Sequence, residues 1–217
     1  MTDFTSRRLM MVDTQVRPSD VTKFPIIDAM LSVAREDFVP DAARDVAYAG
    51  APVELAPGRV LLEPRNFAKM LEALNVQAGD LVLHVGAGLG YGTAVLAQLA
   101  EAVVGLEEDE GLAAEASAAL SDANCDNAMV VTGPVCKGYS KNAPYEAILV
   151  EGGVEEMPTA LLDQLKDGGR IAAIFMDGAL GEMRIGTKTS ARVSWRMEFN
   201  ASAPILPGFA TEKSFVF

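Results

Sequence analysis

Three alternating glycines are the residues best suited to bind a ligand, because they separate a short apolar run from a helical pattern in "LVLHVGAGLGYGTAV". Gly86, Gly88 and Gly90 allow a tight turn and leave the backbone bare, so that a ligand can approach it closely. A dinucleotide fingerprint requires G-x-G-x-x-G, but Tyr91 stands where its third glycine belongs. The observed spacing instead favours a nucleoside ligand without a pyrophosphate.

An acidic residue follows this turn at the distance that ribose binding requires. Glu107 ends the next apolar run, about 20 residues after Gly86, where a carboxylate can accept hydrogen bonds from both ribose hydroxyls. Glu108 follows it directly and Ala87 lies within the turn, so both are expected to line the same ligand site. The competing interpretation is a structural turn followed by a solvated acidic cluster, Glu107 to Glu110.

The overall composition is typical of one globular domain, since half of the 217 residues are hydrophobic and 22% are charged. The formal net charge of −12 argues against nucleic acid or an anionic membrane as a partner. Two cysteines, Cys125 and Cys136, and one histidine, His84, are too few for a disulfide framework or a metal site. With neither a signal peptide nor a membrane-spanning run, the chain is expected to be cytoplasmic. The oligomeric state is left open, with a monomer favoured.

From residue 81 onwards, short apolar runs alternate with helical patterns. Strands are predicted at "LVLHV", "AVVGLE", "NAMVV", "YEAILV" and "RIAAIF", and helices at "GYGTAVLAQLA", "DEGLAAEASAALSDA" and "MPTALLDQLKDGG". This alternation indicates a mostly parallel sheet that is covered by helices on both faces. The later segment "EMRIGTKTSARVSWRMEF" has two extended runs around a polar turn, which predicts a closing antiparallel hairpin.

The first third of the chain is predicted to be helical. In "SDVTKFPIIDAMLSVARED", Ser19 and Asp20 are helix-start signals and Pro25 suits a first helical turn. A short helix and an extended loop follow, and then a helix in "EPRNFAKML". The predicted fold is therefore α/β, a doubly wound, Rossmann-like sheet with a C-terminal hairpin. Residues 1–217 are expected to form a single domain, with a helical and substrate-loop segment at 1–78 and a cofactor-binding core at 79–217.

Over most of its length the chain resembles the protein-L-isoaspartate O-methyltransferases, which are S-adenosylmethionine-dependent repair enzymes. The segments "MVDTQVR", "AREDFVPDAARDVAY" and "GRVLLEP" have the order of that family's N-terminal segments, and "VLHVGAGLGYGTAVLAQL" is similar to its cofactor loop. The resemblance implies a Rossmann-like methyltransferase sheet, S-adenosylmethionine as the cofactor, and a damaged protein or peptide carrying isoaspartate as the substrate. It also implies in-line attack of an ionised carboxylate on the sulfonium methyl, so the protein positions the reactants and excludes water.

The substrate loop departs from the family pattern. The family has Gly-Gln-Thr-Ile-Ser-Gln-Pro, whereas Gly58–Pro64 is Gly-Arg-Val-Leu-Leu-Glu-Pro. Val60 and Leu62 replace both hydroxyl residues, so no catalytic residue can be assigned, and losing such a donor costs about 1–3 kcal/mol in a water-poor site. Glu63 would repel an anionic substrate. Arg59 could grip a carboxylate bidentately if it points inward, although a loop arginine is otherwise solvated. Arg59, Val60 and Leu62 are the substrate-binding candidates.

Three positions of the cofactor site also depart from the family. His84 stands where the family has an acid, either as a ligand-binding residue or as a core-edge histidine bonded to a backbone carbonyl. Pro134 takes the place of the aspartate that meets adenine; it offers no side-chain acceptor, though a backbone carbonyl nearby could replace one. Glu151 either faces the cofactor or is a solvated loop acid. The cofactor-binding candidates are His84, Gly86, Ala87, Gly88, Tyr91, Glu107, Glu108, Pro134 and Glu151.

Three functions are compatible with these residues. The first is an isoaspartyl methyltransferase that uses Arg59 to hold its substrate. The second is a protein that keeps the fold and binds the cofactor but transfers nothing, since the apolar framework is kept while polar groups are replaced. The third, a nicotinamide-dependent oxidoreductase, ranks last because its glycine spacing is wrong.

Overall fold

A computed structural model describes residues 3–190 and 192–211. The strands are β1 (Val53–Ala56), β2 (Arg59–Leu61), β3 (Leu81–Val85), β4 (Ala102–Glu107), β5 (Ala128–Thr132), β6 (Tyr145–Val154), β7 (Leu165–Asp177), β8 (Leu180–Thr189) and β9 (Arg192–Asn200). The helices are α1 (Phe4–Met11), α2 (Phe24–Ser32), α3 (Pro64–Leu74), α4 (Tyr91–Ala97), α5 (Glu110–Asp122) and α6 (Thr159–Asp163). Among the residues described, no helix is both long enough and apolar enough to cross a bilayer.

Seven strands form the central sheet, in the order β5-β4-β3-β6-β7-β8-β9. The first five are parallel to one another, and β8 and β9 continue the sheet as an antiparallel hairpin. The predicted doubly wound sheet with a closing hairpin is confirmed. Since β3 pairs with β4 on one side and with β6 on the other, the strand order reverses there. A crevice at the carboxyl ends of β3, β4 and β6 is the ligand position typical of such sheets.

Hydrophobic residues on both faces of the parallel strands explain why these strands are near-continuous apolar runs. Val82 and Leu149 belong to one core cluster, together with Leu71 of α3 and Leu96 of α4. On the other face, a second cluster is built around Leu83, Val104, Tyr145, Ile148, Leu161 and Ile171. The sheet is therefore a rigid platform that fixes the loops at its carboxyl edge.

The N-terminal segment differs from its prediction in two places. The helix expected to begin at Ser19–Asp20 begins at Phe24, because Asp20 has a left-handed backbone (φ 63°) that ends the preceding turn of 3-10 helix. The expected extended loop is partly a hairpin, in which β1 pairs antiparallel with β2. Gly58 makes its turn with a φ of 73°. This hairpin forms a sheet of its own and is not hydrogen-bonded to the seven-stranded sheet.

The helix predicted at residues 157–169 is also shorter than expected. It ends at Asp163, and Leu165 already begins β7 by pairing with Tyr145. Lys188 donates from Nζ to the carbonyls of Leu162 and Leu165, both at 2.8 Å. These bonds satisfy carbonyl groups that a continuing helix would have used, so tertiary contacts override the local helical pattern.

Candidate active site

The glycine-rich turn leaves β3 in backbone conformations that favour glycine. Gly86, Gly88 and Gly90 have φ angles of 81°, 56° and 95°. The N–H groups of Gly86 and Ala87 donate to the carbonyl of Leu106 at 2.9 and 3.1 Å, which ties the turn to the end of β4. The spacing G-x-G-x-G is thus a conformational requirement, because each of the three positions adopts a left-handed backbone that other residues rarely accept.

Glu107 ends β4 with its carboxylate directed at this turn. The residue is fully buried, and its carboxylate accepts from the backbone N–H of Gly88 at 2.7 Å, Glu108 at 2.9 Å and Asp109 at 3.1 Å. Glu107 is therefore not part of a solvated acidic cluster. Its predicted role, binding of a ribose, requires that the outward-facing lone pairs of this carboxylate be available.

In the structure, Arg59 occupies those lone pairs. Its Nη1 donates to Oε1 of Glu107 at 2.9 Å and its Nη2 to Oε2 at 2.6 Å, a bidentate pair. Arg59 points inward from β2 and is only 8% exposed. The guanidinium expected to hold a substrate carboxylate is thus bound to a carboxylate of the chain itself.

Two leucines cover the rest of the turn. A Cβ atom placed on Gly88 would lie 2.6 Å from Cδ1 of Leu55, and one placed on Gly86 would lie 3.2 Å from Cδ1 of Leu206. Leu55 comes from β1 and Leu206 from the segment that forms a parallel bridge between Ile205 and Gly153. Consequently the turn itself is buried under side chains from distant parts of the chain.

A buried polar network lies beside the turn. Nε2 of His84 is 2.9 Å from Oε2 of Glu151, and its Nδ1 is 2.8 Å from Oγ1 of Thr93. Glu151 also accepts a longer bond, 3.4 Å, from the backbone N–H of Leu62. His84 is fully buried and Glu151 is 4% exposed. His84 therefore bonds side chains rather than a backbone carbonyl, and Glu151 is not solvated.

The side chains of the substrate loop are divided between the core and the crevice. Leu62 is 1% exposed and belongs to the main hydrophobic cluster, whereas Val60 is partly buried against it. The carbonyl of Leu62 accepts from Nη2 of Arg35 at 2.7 Å. Leu62 thus acts in packing, while the guanidinium of Arg59 is paired with Glu107.

Tyr91, expected at the cofactor, turns its side chain into the core instead. Its ring lies 5.5 Å from that of Phe67 and 4.8 Å from the guanidinium carbon of Arg35. Burial raises the pKa of the Tyr91 hydroxyl, and burial lowers the pKa of Arg35 while nearby Tyr91 and Glu151 oppose that lowering. Only the backbone of Tyr91 lies at the turn. Arg35 is a residue that sequence reasoning did not single out.

Glu108 and Pro134 lie side by side at the outer rim of the crevice. Both are exposed. Oε2 of Glu108 accepts from the N–H of Val135 at 3.4 Å, and the carbonyl of Glu107 accepts from the N–H of Gly133 at 2.9 Å. These bonds place the loop after β5 next to the loop after β4, where an adenine is expected.

An open cavity lies beside the crevice and is separate from it. A cavity of about 760 Å³ lies between the segment that contains Phe38 and Arg44 and helix α5, and it touches the glycine turn only at Leu89. Among the residues described, no group of histidine, cysteine and acidic side chains is arranged to hold a metal ion.

Comparison with known proteins identifies the family to which this arrangement belongs. Residues 8–191 match the family model of protein-L-isoaspartate(D-aspartate) O-methyltransferases. A protein-L-isoaspartate O-methyltransferase of Rhodopseudomonas palustris is 39% identical over 170 residues, which cover 78% of this chain and 69% of the relative. One of Koribacter versatilis is 37% identical over 171 residues, which cover 79% of this chain and 77% of the relative. The chain belongs to this family.

Solved structures agree at the level of the fold. A protein-L-isoaspartate O-methyltransferase structure superposes with a TM-score of 0.78 at 21% identity, covering 94% of this chain and 65% of the other. A structure from Plasmodium falciparum, described as of this family and in complex with S-adenosyl-L-homocysteine, gives 0.79 at 18% identity, covering 95% and 99%. The isoaspartyl methyltransferase fold therefore extends over nearly the whole chain.

S-adenosylmethionine is the cofactor of this family. As the side chains are arranged here, they do not fit its nucleoside, because Arg59 holds both oxygens of Glu107 and Leu55 covers Gly88. The framework that would receive a nucleoside is nevertheless intact: the three left-handed glycines and a buried carboxylate face one another across the turn. The obstruction comes from Leu55 and Arg59 of the β1–β2 hairpin and from Leu206, not from the seven-stranded sheet.

Proposed function

We propose that this chain transfers a methyl group from S-adenosylmethionine to the free carboxylate of isoaspartyl residues in damaged proteins. The proposal is carried by one observation: in a chain that matches this family over residues 8–191, Glu107 meets the glycine turn with three backbone N–H groups fixing its carboxylate. A carboxylate held this way keeps its geometry without help from a ligand.

The reaction makes few demands on the protein. Bound S-adenosylmethionine would supply a methyl group activated by a positively charged sulfur, and the isoaspartyl carboxylate is already ionised at neutral pH, so no side chain would have to act as a base. Loss of the family's hydroxyl residues at Val60 and Leu62 therefore weakens substrate binding rather than removing a reacting group. In this proposal Arg59, once released from Glu107, is the charged donor that replaces them, since Leu62 is committed to the core.

The proposal is tested in two steps. Calorimetric titration with S-adenosylmethionine and S-adenosylhomocysteine measures binding, and transfer of a labelled methyl group to an isoaspartyl peptide measures the reaction. The same peptide with ordinary aspartate is the matched control. We expect label in the isoaspartyl peptide alone. Binding of either nucleoside without any transfer would instead support a binding protein of the same fold, which transfers nothing.

A further inference from the structure

Arg59 and the hairpin that carries it obstruct the position of the ligand's sugar. Resting on the function proposed above, we propose that Arg59 is an autoinhibitory latch. Its guanidinium occupies the carboxylate that a bound ribose would use, and the β1–β2 hairpin has to move away from the glycine turn before S-adenosylmethionine can bind.

In the ion pair, Arg59 presents hydrogen-bond donors to Glu107 in the way that a ribose would. A ribose presents two neighbouring hydroxyl donors to one carboxylate, and Arg59 presents two parallel N–H donors to Oε1 and Oε2 of Glu107 at 2.9 and 2.6 Å. Arg59 and the sugar therefore compete for the same acceptor atoms. Nη2 of Arg59 also lies 3.4 Å from where a Cβ of Gly86 would stand, within the space that the bare turn leaves open.

The same hairpin supplies the second obstruction. Cδ1 of Leu55, on β1, lies over Gly88, while Arg59, on β2, lies over Glu107. One movement of the hairpin would therefore clear both. Leu206, which lies over Gly86, belongs to a different segment and would stay in place.

The inner part of the hairpin can move without dismantling the seven-stranded sheet, while Val53 and Leu61 hold its two ends in the core. It pairs only with itself, so its displacement breaks no hydrogen bond of the seven-stranded sheet. Its turn, Pro57–Gly58, is exposed. Glu107 keeps its three bonds from Gly88, Glu108 and Asp109 when Arg59 leaves, so the carboxylate stays in place.

With a latch of this kind, only the molecules in which it is open can bind the ligand. The apparent dissociation constant is therefore the intrinsic one divided by the open fraction. The test is calorimetric titration of S-adenosylhomocysteine into the full-length protein and three variants. Arg59→Ala removes the guanidinium and Leu55→Ala removes the cover over Gly88. Arg65→Ala is the matched control, because Arg65 is exposed at the start of α3 and has the same charge.

We expect Arg59→Ala and Leu55→Ala each to lower the dissociation constant about tenfold or more, and Arg65→Ala to leave it unchanged. Leu55→Ala keeps the Arg59–Glu107 pair, so it serves even if the unpaired carboxylate in Arg59→Ala destabilises the fold. Equal affinity in all four proteins would overturn the latch and leave the proposed function standing. Absence of binding in all four folded proteins, with no methyl transfer, would overturn both.

Discussion

At the scale of single residues, the crevice is shaped by how closely its polar side chains approach the backbone of α4. Gly92 lies where any side chain would collide with the pair formed by His84 and Glu151, since its Cβ would stand 2.6 Å from Cε1 of His84. The pair is buried, and His84 is hydrogen-bonded through both ring nitrogens, so its withdrawal would break those bonds. Gly92 is therefore required for packing rather than for a special backbone angle.

Replacement of Gly92 by alanine tests this. Overpacking of a tight core costs about 1–3 kcal/mol, which equals or exceeds the roughly 1 kcal/mol that alanine gains over glycine within a helix, and the collision at Gly92 is severe. We expect Gly92→Ala to lower the free energy of unfolding in urea denaturation. Gly79→Ala is the control, since nothing lies within 4 Å of its Cβ position. If both variants are equally stable, the collision at Gly92 is relieved by movement of the pair.

At the scale of elements, a buried arginine joins segments that are distant in the sequence. Arg35 donates from Nε to the carbonyl of Ala47 at 2.6 Å and from Nη2 to that of Leu62 at 2.7 Å, and it lies against the ring of Tyr91. It thereby fixes the end of the substrate loop to the segment before β1. The hairpin between these two anchors is thus held at both ends while its turn is exposed.

Arg35→Lys should weaken the link between the segment that ends at Ala47 and the substrate loop that ends near Leu62. A lysine ammonium cannot donate to both carbonyls in this planar geometry, and each buried carbonyl left without a donor costs about 1–3 kcal/mol. We expect a lower free energy of unfolding and faster hydrogen exchange in residues 47–62. Arg44→Lys, at a partly exposed arginine paired with Asp37, should change neither. A stable Arg35→Lys protein with unchanged exchange would show that the two anchors are dispensable.

At the scale of the whole molecule, buried tyrosines couple stability to alkaline pH. Burial raises the pKa of Tyr48, Tyr91 and Tyr145 above the ordinary value of 10.0. The unfolded chain releases these protons near pH 10, whereas the folded chain retains them. The stabilising contribution is therefore fully present below pH 10 and is lost as the pH rises through the raised pKa values.

We expect the free energy of unfolding, measured by urea denaturation at a series of pH values, to decline above about pH 10. Tyr145→Phe should reduce the slope of the unfolding free energy against pH by the amount that corresponds to about one proton. It removes one of the three hydroxyl protons that the folded chain retains. Parallel curves for the two proteins would contradict the assignment to Tyr145.

The sheet could be predicted from the sequence because each central strand is buried on both faces, which leaves a continuous apolar run. The start of α2 could not be predicted, because Asp20 adopts a left-handed backbone conformation that the pattern of apolar residues does not indicate. The position of Glu107 followed from its spacing to the glycines. The pairing of Glu107 with Arg59 could not be predicted, because the two residues are 48 positions apart and meet only through the tertiary structure.

The bridge between Gly153 and Ile205 makes the segment after β9 part of the crevice. Through this bridge, Leu206 reaches the space above Gly86 and Gly152. Shortening the protein to before residue 201 would strip a wall from the nucleoside crevice. A shortened variant should therefore retain residues 201–206.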